Sequence, residues 1–254
     1  MKIFILLPAY NEEEGLEKIL ARIKRVLRYL NLNSEIIIVN DGSKDRTELI
    51  AKIFEKLETN ITTFSFETNK GITEVFREGF KYVYKKLDSD DIVISLDSDN
   101  TQSPYAMIDM VKQINQGNDL VIASRFVLNA KVEGVPQYRL LLSNGVAFIM
   151  QSLFPYPGVK DYSTFYRAYK GSLILNAVED ENGFDEIIEG HGFSSMAGFL
   201  MNLIYRCNPT VTEVPINLRY DLKEGGSGLK IFKTIKGYLL LFRKLNKIKN
   251  GSKN

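Results

Sequence analysis

Two aspartates follow an apolar segment near the middle of the chain. Residues 92–96 read Ile-Val-Ile-Ser-Leu, and Asp97, Ser98 and Asp99 follow them. Because residues i and i+2 of an extended chain point to the same side, we expect both carboxylates to face one point beyond a strand end. Mg²⁺ and Mn²⁺ take carboxylate oxygens as ligands and complete their coordination with water and phosphate. The pair therefore predicts a metal site for a phosphate-bearing substrate or, if nothing binds there, a solvated turn.

Two other predicted strand ends also carry polar side chains. Apolar residues fill positions 3 to 7, as expected of a strand buried on both faces, and Pro8 ends that strand. A second strand at 35–39 stops just before Asp41. Ligands of open α/β sheets bind at the carboxyl ends of strands, so these side chains are expected to share a rim with the aspartate pair. The residues concerned are Pro8, Tyr10, Glu12 and Asp41.

Strands and helices alternate through the first half of the chain. Asn11 and the glutamates after it predict an N-cap for a helix that runs to about residue 30. Further helices are expected from 45, at 71–87 and at 104–116, and further strands at 61–66, 91–96 and 119–123. This alternation predicts an α/β fold, a mostly parallel sheet with helices on both faces. Residues 126–192 are expected to be less regular, before a helix at 193–206 and a strand at 211–217.

Positive charge is concentrated at the end of the chain, although the net charge is only +2. From residue 219 onward, ten basic residues stand against two acidic ones. Apolar residues alternate with the lysines at helical spacing over 229–250, which predicts a basic amphipathic helix. Such a helix either packs on the sheet with its lysines in water or lies on an anionic membrane surface. No recognised nucleic-acid-binding motif accompanies the charge, so no nucleic-acid partner is expected.

Composition limits the remaining choices. With 254 residues, 44% of them hydrophobic, the chain can form one substantial core, which we expect at 1–228, followed by the helix at 229–250 and a tail at 251–254. No apolar run reaches the ~18 residues that span a bilayer. Cys207 is the single cysteine, so no internal disulfide forms. We therefore expect a cytoplasmic protein, peripheral on the cytoplasmic membrane face if the terminal helix binds lipid.

Five segments come in an order and spacing that resemble the family 2 glycosyltransferases of the Rossmann-like GT-A fold. The segments are Pro8-Ala-Tyr-Asn-Glu12, Val39-Asn-Asp-Gly-Ser43, Asn69-Lys-Gly71, Leu96-Asp-Ser-Asp99 and Ala123-Ser-Arg125. The resemblance covers residues 2 to about 230 and is greatest to the polyprenyl-phosphate (dolichyl-phosphate) mannosyl- and glucosyltransferases. It implies metal-dependent, inverting transfer of a hexose from a GDP- or UDP-sugar to a polyprenyl phosphate.

The resemblance also implies roles for individual residues. Asp97 and Asp99 would bind Mg²⁺ or Mn²⁺ and, with Ser98 between them, the donor diphosphate. The nucleoside would be held by Pro8, Tyr10, Glu12 and Asp41. Arg125 and Arg139 match arginines that lie near phosphates, a task that suits the fixed fork of a guanidinium. A surface position on a helix is the other reading of Arg139.

The chain departs from the family pattern at two places. Thr101 stands where relatives often carry a glutamine metal ligand, so water or Gln102 would complete the metal coordination. Near the end, the segment 223–230 has Gly228 where a lysine is expected. Lys223 or Lys230 would then contact the diphosphate, and the glycines between them predict either a lid or a plain linker.

The acceptor decides whether the reaction needs a base. A polyprenyl phosphate is already anionic and needs only positioning and leaving-group stabilisation. A glycan or glycolipid hydroxyl must lose a proton, for which Glu189 is the first candidate. Asp161, Asp185 and Glu186 stay open as alternatives. The residues expected to act in the reaction are Asp99, Arg125 and Glu189. A catalytically silent, nucleotide-binding scaffold is the alternative from another class.

Overall fold

The computed structural model describes residues 1–190, 192, 194–223 and 231–251. The strands are β1 Lys2–Ala9, β2 Asn33–Asn40, β3 Ile61–Ser65, β4 Ile92–Ser95, β5 Leu120–Ser124, β6 Lys131–Glu133, β7 Arg167–Lys170, β8 Val211–Pro215 and β9 Asn217–Arg219. The α-helices are α1 Leu16–Leu30, α2 Thr47–Leu57, α3 Ile72–Tyr84, α4 Ala106–Asn115, α5 Gln137–Leu153, α6 Gly171–Ala177, α7 Phe184–Ile187, α8 Ser194–Cys207 and α9 Ile231–Gly251. Short 3-10 turns occupy Glu181–Gly183 and Tyr220–Leu222.

Seven strands form one sheet in the order β3-β2-β1-β4-β7-β5-β8, and β6 pairs separately with β9. β1 runs parallel to both β2 and β4, and β5 runs parallel to β8. β7, which the sequence did not predict, runs antiparallel between β4 and β5. The predicted mostly parallel sheet is confirmed. The order brings the carboxyl ends of β1, β2 and β4 together at one edge.

The sheet is buried on both faces. Phe4 and Leu6 of β1 belong to a core cluster with residues of α3 and α8, whereas Ile3 and Ile5 belong to a second cluster with residues of α1 and α4. This alternation follows from the two-residue period of a strand. The prediction of helices on both faces is confirmed.

The first helix begins later than predicted. Asn11 does not cap it, because α1 begins at Leu16 after a turn in which Asn11 has a positive φ of 53°. The Asn11 side chain instead accepts a hydrogen bond from the Lys44 backbone N–H at 2.8 Å. The Glu12 backbone N–H donates to Thr47 Oγ1 at 2.8 Å. The loop after β1 is therefore held against the loop after β2, which delays the helix.

The region 126–192, predicted to be irregular, contains the 17-residue helix α5. This helix has one charged residue, Arg139. Ala147 and Met150 face the core, yet Leu141 and Phe148 are 74% and 73% exposed. Because α5 is apolar on both faces, it lacks the one-sided periodicity from which an amphipathic helix is predicted.

The predicted terminal helix is present as α9, and residues 224–230 and 252–254 lie outside the described part of the chain. Tyr238 and Leu245 are buried, while Phe232 and Leu239 remain exposed. The Phe242 ring stacks on Phe154, at the end of α5, with 6.5 Å between centroids. Among the described helices, none combines the length and apolar composition required to cross a membrane.

Candidate functional site

The aspartate pair lies on a loop rather than at the end of its strand. β4 ends at Ser95, and Asp97 and Asp99 follow in the loop before α4. Asn100 has a positive φ of 60°, which turns the chain just after the pair. A Cβ on Gly15 would lie 3.0 Å from the Asp99 carbonyl carbon, so the start of α1 packs closely on this loop. Local loop hydrogen bonds, rather than strand geometry alone, therefore orient the two carboxylates.

Gln102 and Thr101 orient the two carboxylates. Gln102 Nε2 donates to Asp97 Oδ2 at 2.7 Å, and its Oε1 accepts from the Asp97 backbone N–H at 3.1 Å. Thr101 donates to Asp99 Oδ1 through its hydroxyl at 2.7 Å and its backbone N–H at 3.0 Å. Both polar atoms of the Gln102 side-chain amide thus bond to Asp97. In this structure Gln102 is a positioning residue for the aspartate.

A lysine ammonium lies among the site carboxylates. Lys223 Nζ donates to Asp99 Oδ2 at 2.8 Å and lies 3.5 Å from Glu12 Oε1. Burial raises the pKa of Glu12 to about 7, opposed by Lys223 and reinforced by Asp99. Burial, and then the Asp99 charge, also raise the pKa of Asp97. When Glu12, Asp97 and Asp99 are ionised, their combined negative charge exceeds that of the single ammonium, so the site attracts cations.

The residues predicted to hold the nucleoside lie around the ends of β1 and β2. Asp41 accepts hydrogen bonds from Asn69 Nδ2 at 2.9 Å and from the Lys70 and Gly71 backbone N–H groups at 2.7 and 3.0 Å. The motifs around Asp41 and Asn69 therefore meet in space. Burial raises the pKa of Asp41, against the effect of those hydrogen bonds.

The remaining residues predicted at this rim lie around Pro8. The Ser98 hydroxyl donates to the Pro8 carbonyl at 2.6 Å and joins the β1 end to the aspartate loop. Ser98 is buried, and its hydroxyl proton is committed to Pro8. Tyr10 is exposed at the rim, with 40% of its surface accessible.

The two predicted arginines have different surroundings. Arg125 forms a bidentate ion pair with buried Asp161, with Nε–Oδ2 and Nη2–Oδ1 distances of 2.8 Å each, and Nη2 also donates to Ser163 Oγ at 2.6 Å. Burial would raise the pKa of Asp161, but Arg125 outweighs it and holds that pKa below its usual value. Arg139, in the first turn of α5, donates to the Tyr220 hydroxyl and lies over its ring at 4.9 Å.

The candidate base lies beside the terminal helix. The Glu189 carboxylate is ion-paired with Lys244 of α9, next to a cavity of about 130 Å³ between α8 and α9. Of the alternative acids, Asp185 pairs with Lys81 at 2.8 Å and Glu186 with Arg206 at 3.3 Å. Asp161 holds Arg125. Lys230, the second lysine expected at the diphosphate, lies outside the described residues.

The chemistry of the donor set fits a divalent cation bound together with a substrate. Within the described residues, no group of three or more His, Cys, Asp or Glu side chains has the geometry of a complete metal site. Asp97 and Asp99 would supply two hard ligands and leave the remaining positions to diphosphate and water, as Mg²⁺ requires. The ammonium of Lys223 already shows that a cation is accommodated beside Asp99.

The chain belongs to glycosyl transferase family 2, whose model matches residues 4–175. It is 30% identical over 191 residues to a dolichol-phosphate mannosyltransferase of Pyrococcus furiosus, a match that covers 74% of this chain and 52% of that relative. It is 26% identical over 185 residues to a polyprenol monophosphomannose synthase of Mycolicibacterium smegmatis, covering 71% of this chain and 67% of that protein. The chain therefore spans about half to two thirds of the length of these relatives.

The fold is the GT-A fold. The structure matches a glucosyl-3-phosphoglycerate synthase from Mycobacterium tuberculosis, solved with Mn²⁺ and UDP-glucose, with a TM-score of 0.62 and 19% identity. The match covers 89% of this chain and 72% of the other. The same synthase was also solved with Mg²⁺ and UDP, at a TM-score of 0.61. The family and fold expected from the motifs are confirmed.

Sequence reasoning missed the partners that hold the site residues in place. They are Asp161 and Ser163 for Arg125, Tyr220 for Arg139, and Lys244 for Glu189. Asp161 had been considered only as a base. The local pattern Asp161-x-Ser-Thr, in which the carboxylate accepts from the Ser163 and Thr164 backbone N–H groups at 3.2 Å, is typical of a turn and was available as a signal.

Proposed function

We propose that this protein is a metal-dependent, inverting glycosyltransferase that moves a hexose from a GDP- or UDP-sugar to a polyprenyl phosphate. The observation that carries the proposal is the cluster of Glu12, Asp97 and Asp99 at the carboxyl edge of a GT-A sheet, in which the Lys223 ammonium contacts Asp99 and Glu12. Relatives named for transfer of mannose to dolichol or polyprenol phosphate support the acceptor class.

Asp97 and Asp99 would hold Mg²⁺ or Mn²⁺, which neutralises charge on the leaving nucleoside diphosphate. Pro8, Tyr10, Glu12 and Asp41 would bind the nucleoside part, and the Ser98 backbone would face the donor. The diphosphate would be contacted by Lys223, Lys230 and Arg139. These groups lower the barrier by being oriented before the charge develops.

The Arg125 guanidinium can still bind a phosphate, although one side of it is paired with Asp161. Its Nε and Nη2 atoms serve Asp161 and Ser163, and Nη1 has no protein acceptor among the described residues. The side chain is 19% exposed. Asp161 would therefore fix the guanidinium plane while Nη1 binds a phosphate oxygen.

The surroundings of Glu189 favour the phosphate acceptor. A base that serves a hydroxyl needs a carboxylate free to accept a proton, whereas the Glu189 carboxylate is occupied by the Lys244 ammonium. A phosphate acceptor needs no such base. Transfer to a glycan or glycolipid hydroxyl is the second candidate, and it requires Glu189 to leave Lys244.

A peripheral membrane contact fits both exposed helices. α9 carries Lys236, Arg243 and Lys247, which are exposed and have no ion pair among the described residues. On α5, large exposed apolar side chains recur at helical spacing at Tyr138, Leu141, Leu142, Phe148, Ile149 and Leu153. Apolar area together with basic charge suits the surface of an anionic bilayer. We place the 229–250 segment and α5 at the cytoplasmic face of such a membrane.

The test is transfer of radiolabelled hexose from GDP-mannose, GDP-glucose, UDP-glucose or UDP-galactose to a polyprenyl phosphate in mixed micelles with Mn²⁺. One of these donors is expected to give a lipid-phosphate hexose product that EDTA abolishes. Free polyprenol serves as the matched hydroxyl acceptor. Product on polyprenol alone would overturn the phosphate acceptor, and metal-dependent nucleotide binding with no product from any donor would support the scaffold.

A further inference from the structure

The segment that carries Lys223 is fastened to the aspartate loop by backbone hydrogen bonds. The Ser103 N–H donates to the Asn217 carbonyl at 3.0 Å, and the Arg219 N–H donates to the Thr101 carbonyl at 2.8 Å. The 3-10 turn Tyr220–Leu222 follows, and the Lys223 N–H donates to the Tyr220 carbonyl at 3.1 Å. The backbone thus delivers this lysine directly to the carboxylates.

The Lys223 ammonium is bound to Oδ2 of Asp99, one of the two predicted metal ligands. It contacts Asp99 at 2.8 Å and Glu12 at 3.5 Å, and the three side chains are only 12–17% exposed. A metal ion that uses the same Asp99 oxygen must displace this ammonium.

We propose that Lys223 is a counter-cation that hinders binding of a free divalent ion and leaves Asp99 when the ion arrives together with a nucleoside diphosphate. This inference rests on the proposed function. A metal ion alone takes the carboxylate partner of Lys223 and leaves a buried ammonium next to a second cation. A diphosphate supplies new oxygen acceptors for the displaced ammonium, so the metal and the nucleotide bind with positive coupling.

The test compares Mn²⁺ binding by wild type and by Lys223→Met, measured from the electron paramagnetic resonance signal of free Mn²⁺. Without nucleotide, the variant is expected to bind Mn²⁺ about tenfold more tightly, since the displaced contact is a hydrogen bond between charged groups. With GDP or UDP present, the gain in Mn²⁺ affinity caused by nucleotide should be about tenfold smaller in the variant than in wild type. Titrations without protein correct for Mn²⁺ that the nucleotides bind in solution.

Two control variants separate this role from a structural one. Lys112→Met, an exposed position on α4, removes a positive charge elsewhere and should bind Mn²⁺ as wild type does. Lys223→Arg keeps the charge and should restore weak binding of Mn²⁺ alone. Thermal unfolding checks that each variant is folded.

Two results would overturn the inference. One is a folded Lys223→Met variant whose affinity for Mn²⁺ alone is unchanged or weaker. The other is nucleotide coupling equal to that of wild type. Failure of the wild type to bind GDP or UDP with Mn²⁺ would instead contradict the proposed function, and the comparison with Mn²⁺ alone would still test Lys223.

Discussion

At the scale of single residues, the two carboxylate oxygens of Asp99 accept hydrogen bonds from different partners. Its Oδ1 accepts from Thr101 and its Oδ2 from Lys223. Asp99→Asn keeps the shape but removes the charge, so we expect intact folding and weaker Mn²⁺-dependent nucleotide affinity, by about tenfold or more. Isothermal titration of GDP and UDP with and without Mn²⁺ measures this. Equal affinity in the two conditions for the wild type would contradict metal-mediated binding.

A substitution at Glu189 distinguishes a phosphate acceptor from a hydroxyl acceptor. If the acceptor is a phosphate, Glu189→Gln should keep turnover within about tenfold, whereas loss of a general base typically costs ~10²–10⁴-fold. Steady-state kinetics with the transferred hexose as readout distinguishes the two. Glu181→Gln, at a surface ion pair with Lys85, is the matched acid control. A loss above 10²-fold with normal nucleotide binding would favour a hydroxyl acceptor.

At the scale of elements, α5 and α9 should act together on lipid. We expect sedimentation with anionic vesicles that weakens as salt rises, because attraction between exposed charges is screened over about 10 Å at 0.1 M ionic strength. The variant Leu141→Gln/Phe148→Gln should bind about tenfold more weakly, since it removes apolar contact area.

The matched control for that experiment is Leu49→Gln/Leu57→Gln, which changes exposed leucines on α2. An equal loss of vesicle binding in both double variants would count against α5 as the contact. Absence of vesicle binding by wild type at low salt would remove the membrane from the proposal.

The elements differ in how far sequence predicts them. Strands β1, β2, β4 and β5 are built on continuous apolar runs, and helices α1, α3 and α4 each have one buried stripe. The hydrophobic pattern of the sequence is therefore enough to predict these elements. β7 was missed because its four residues, Arg-Ala-Tyr-Lys, include two cations. Arg167 is nevertheless buried, since it donates to the Met196 and Tyr162 carbonyls at 2.7 and 2.8 Å. Such partners come from distant parts of the chain and leave no local signal.

For the site, the sequence could predict where the motif residues lie, whereas their roles stay predictions. Motif residues at the ends of β1, β2 and β4 could be placed because parallel strands share an edge. The ion pair that partly neutralises these carboxylates could not be predicted, because Lys223 and Asp99 are 124 positions apart in the sequence. The Arg125–Asp161 pair likewise depends on tertiary packing.

At the scale of the whole molecule, a buried carboxylate, Glu35, lies at the sheet edge away from the site, and its lysine partners are partly exposed. Glu35 accepts from Lys2 and Tyr82 at 2.6 Å each and from Lys86 at 2.9 Å. Burial would raise the pKa of Glu35, but these hydrogen bonds outweigh it and lower that pKa from 4.5 to about 2. A depressed carboxyl pKa stabilises the fold above the unfolded-state pKa, and this stabilisation is lost as pH falls toward the folded-state value.

Glu35→Gln should therefore lower the free energy of unfolding by about 1–3 kcal/mol at pH 7. We expect the difference from wild type to stay constant down to about pH 5.5 and to shrink below about pH 4.5. Urea unfolding at a series of pH values measures it. Glu17→Gln, exposed on α1, should change stability by less than about 0.5 kcal/mol. A difference between wild type and the Glu35 variant that does not vary with pH would contradict the account.

The insertion of β7 sets the order in which the sheet can be completed. β3, β2, β1 and β4 all come from the first 95 residues and neighbour one another, whereas β5 pairs only with β7 and β8, which come later in the chain. In pulse-labelled hydrogen exchange during refolding, the four early strands should be protected before β5. A nascent chain that stops short of residue 167 carries an open β4 edge and a β5 without neighbours, and both are surfaces on which chains aggregate.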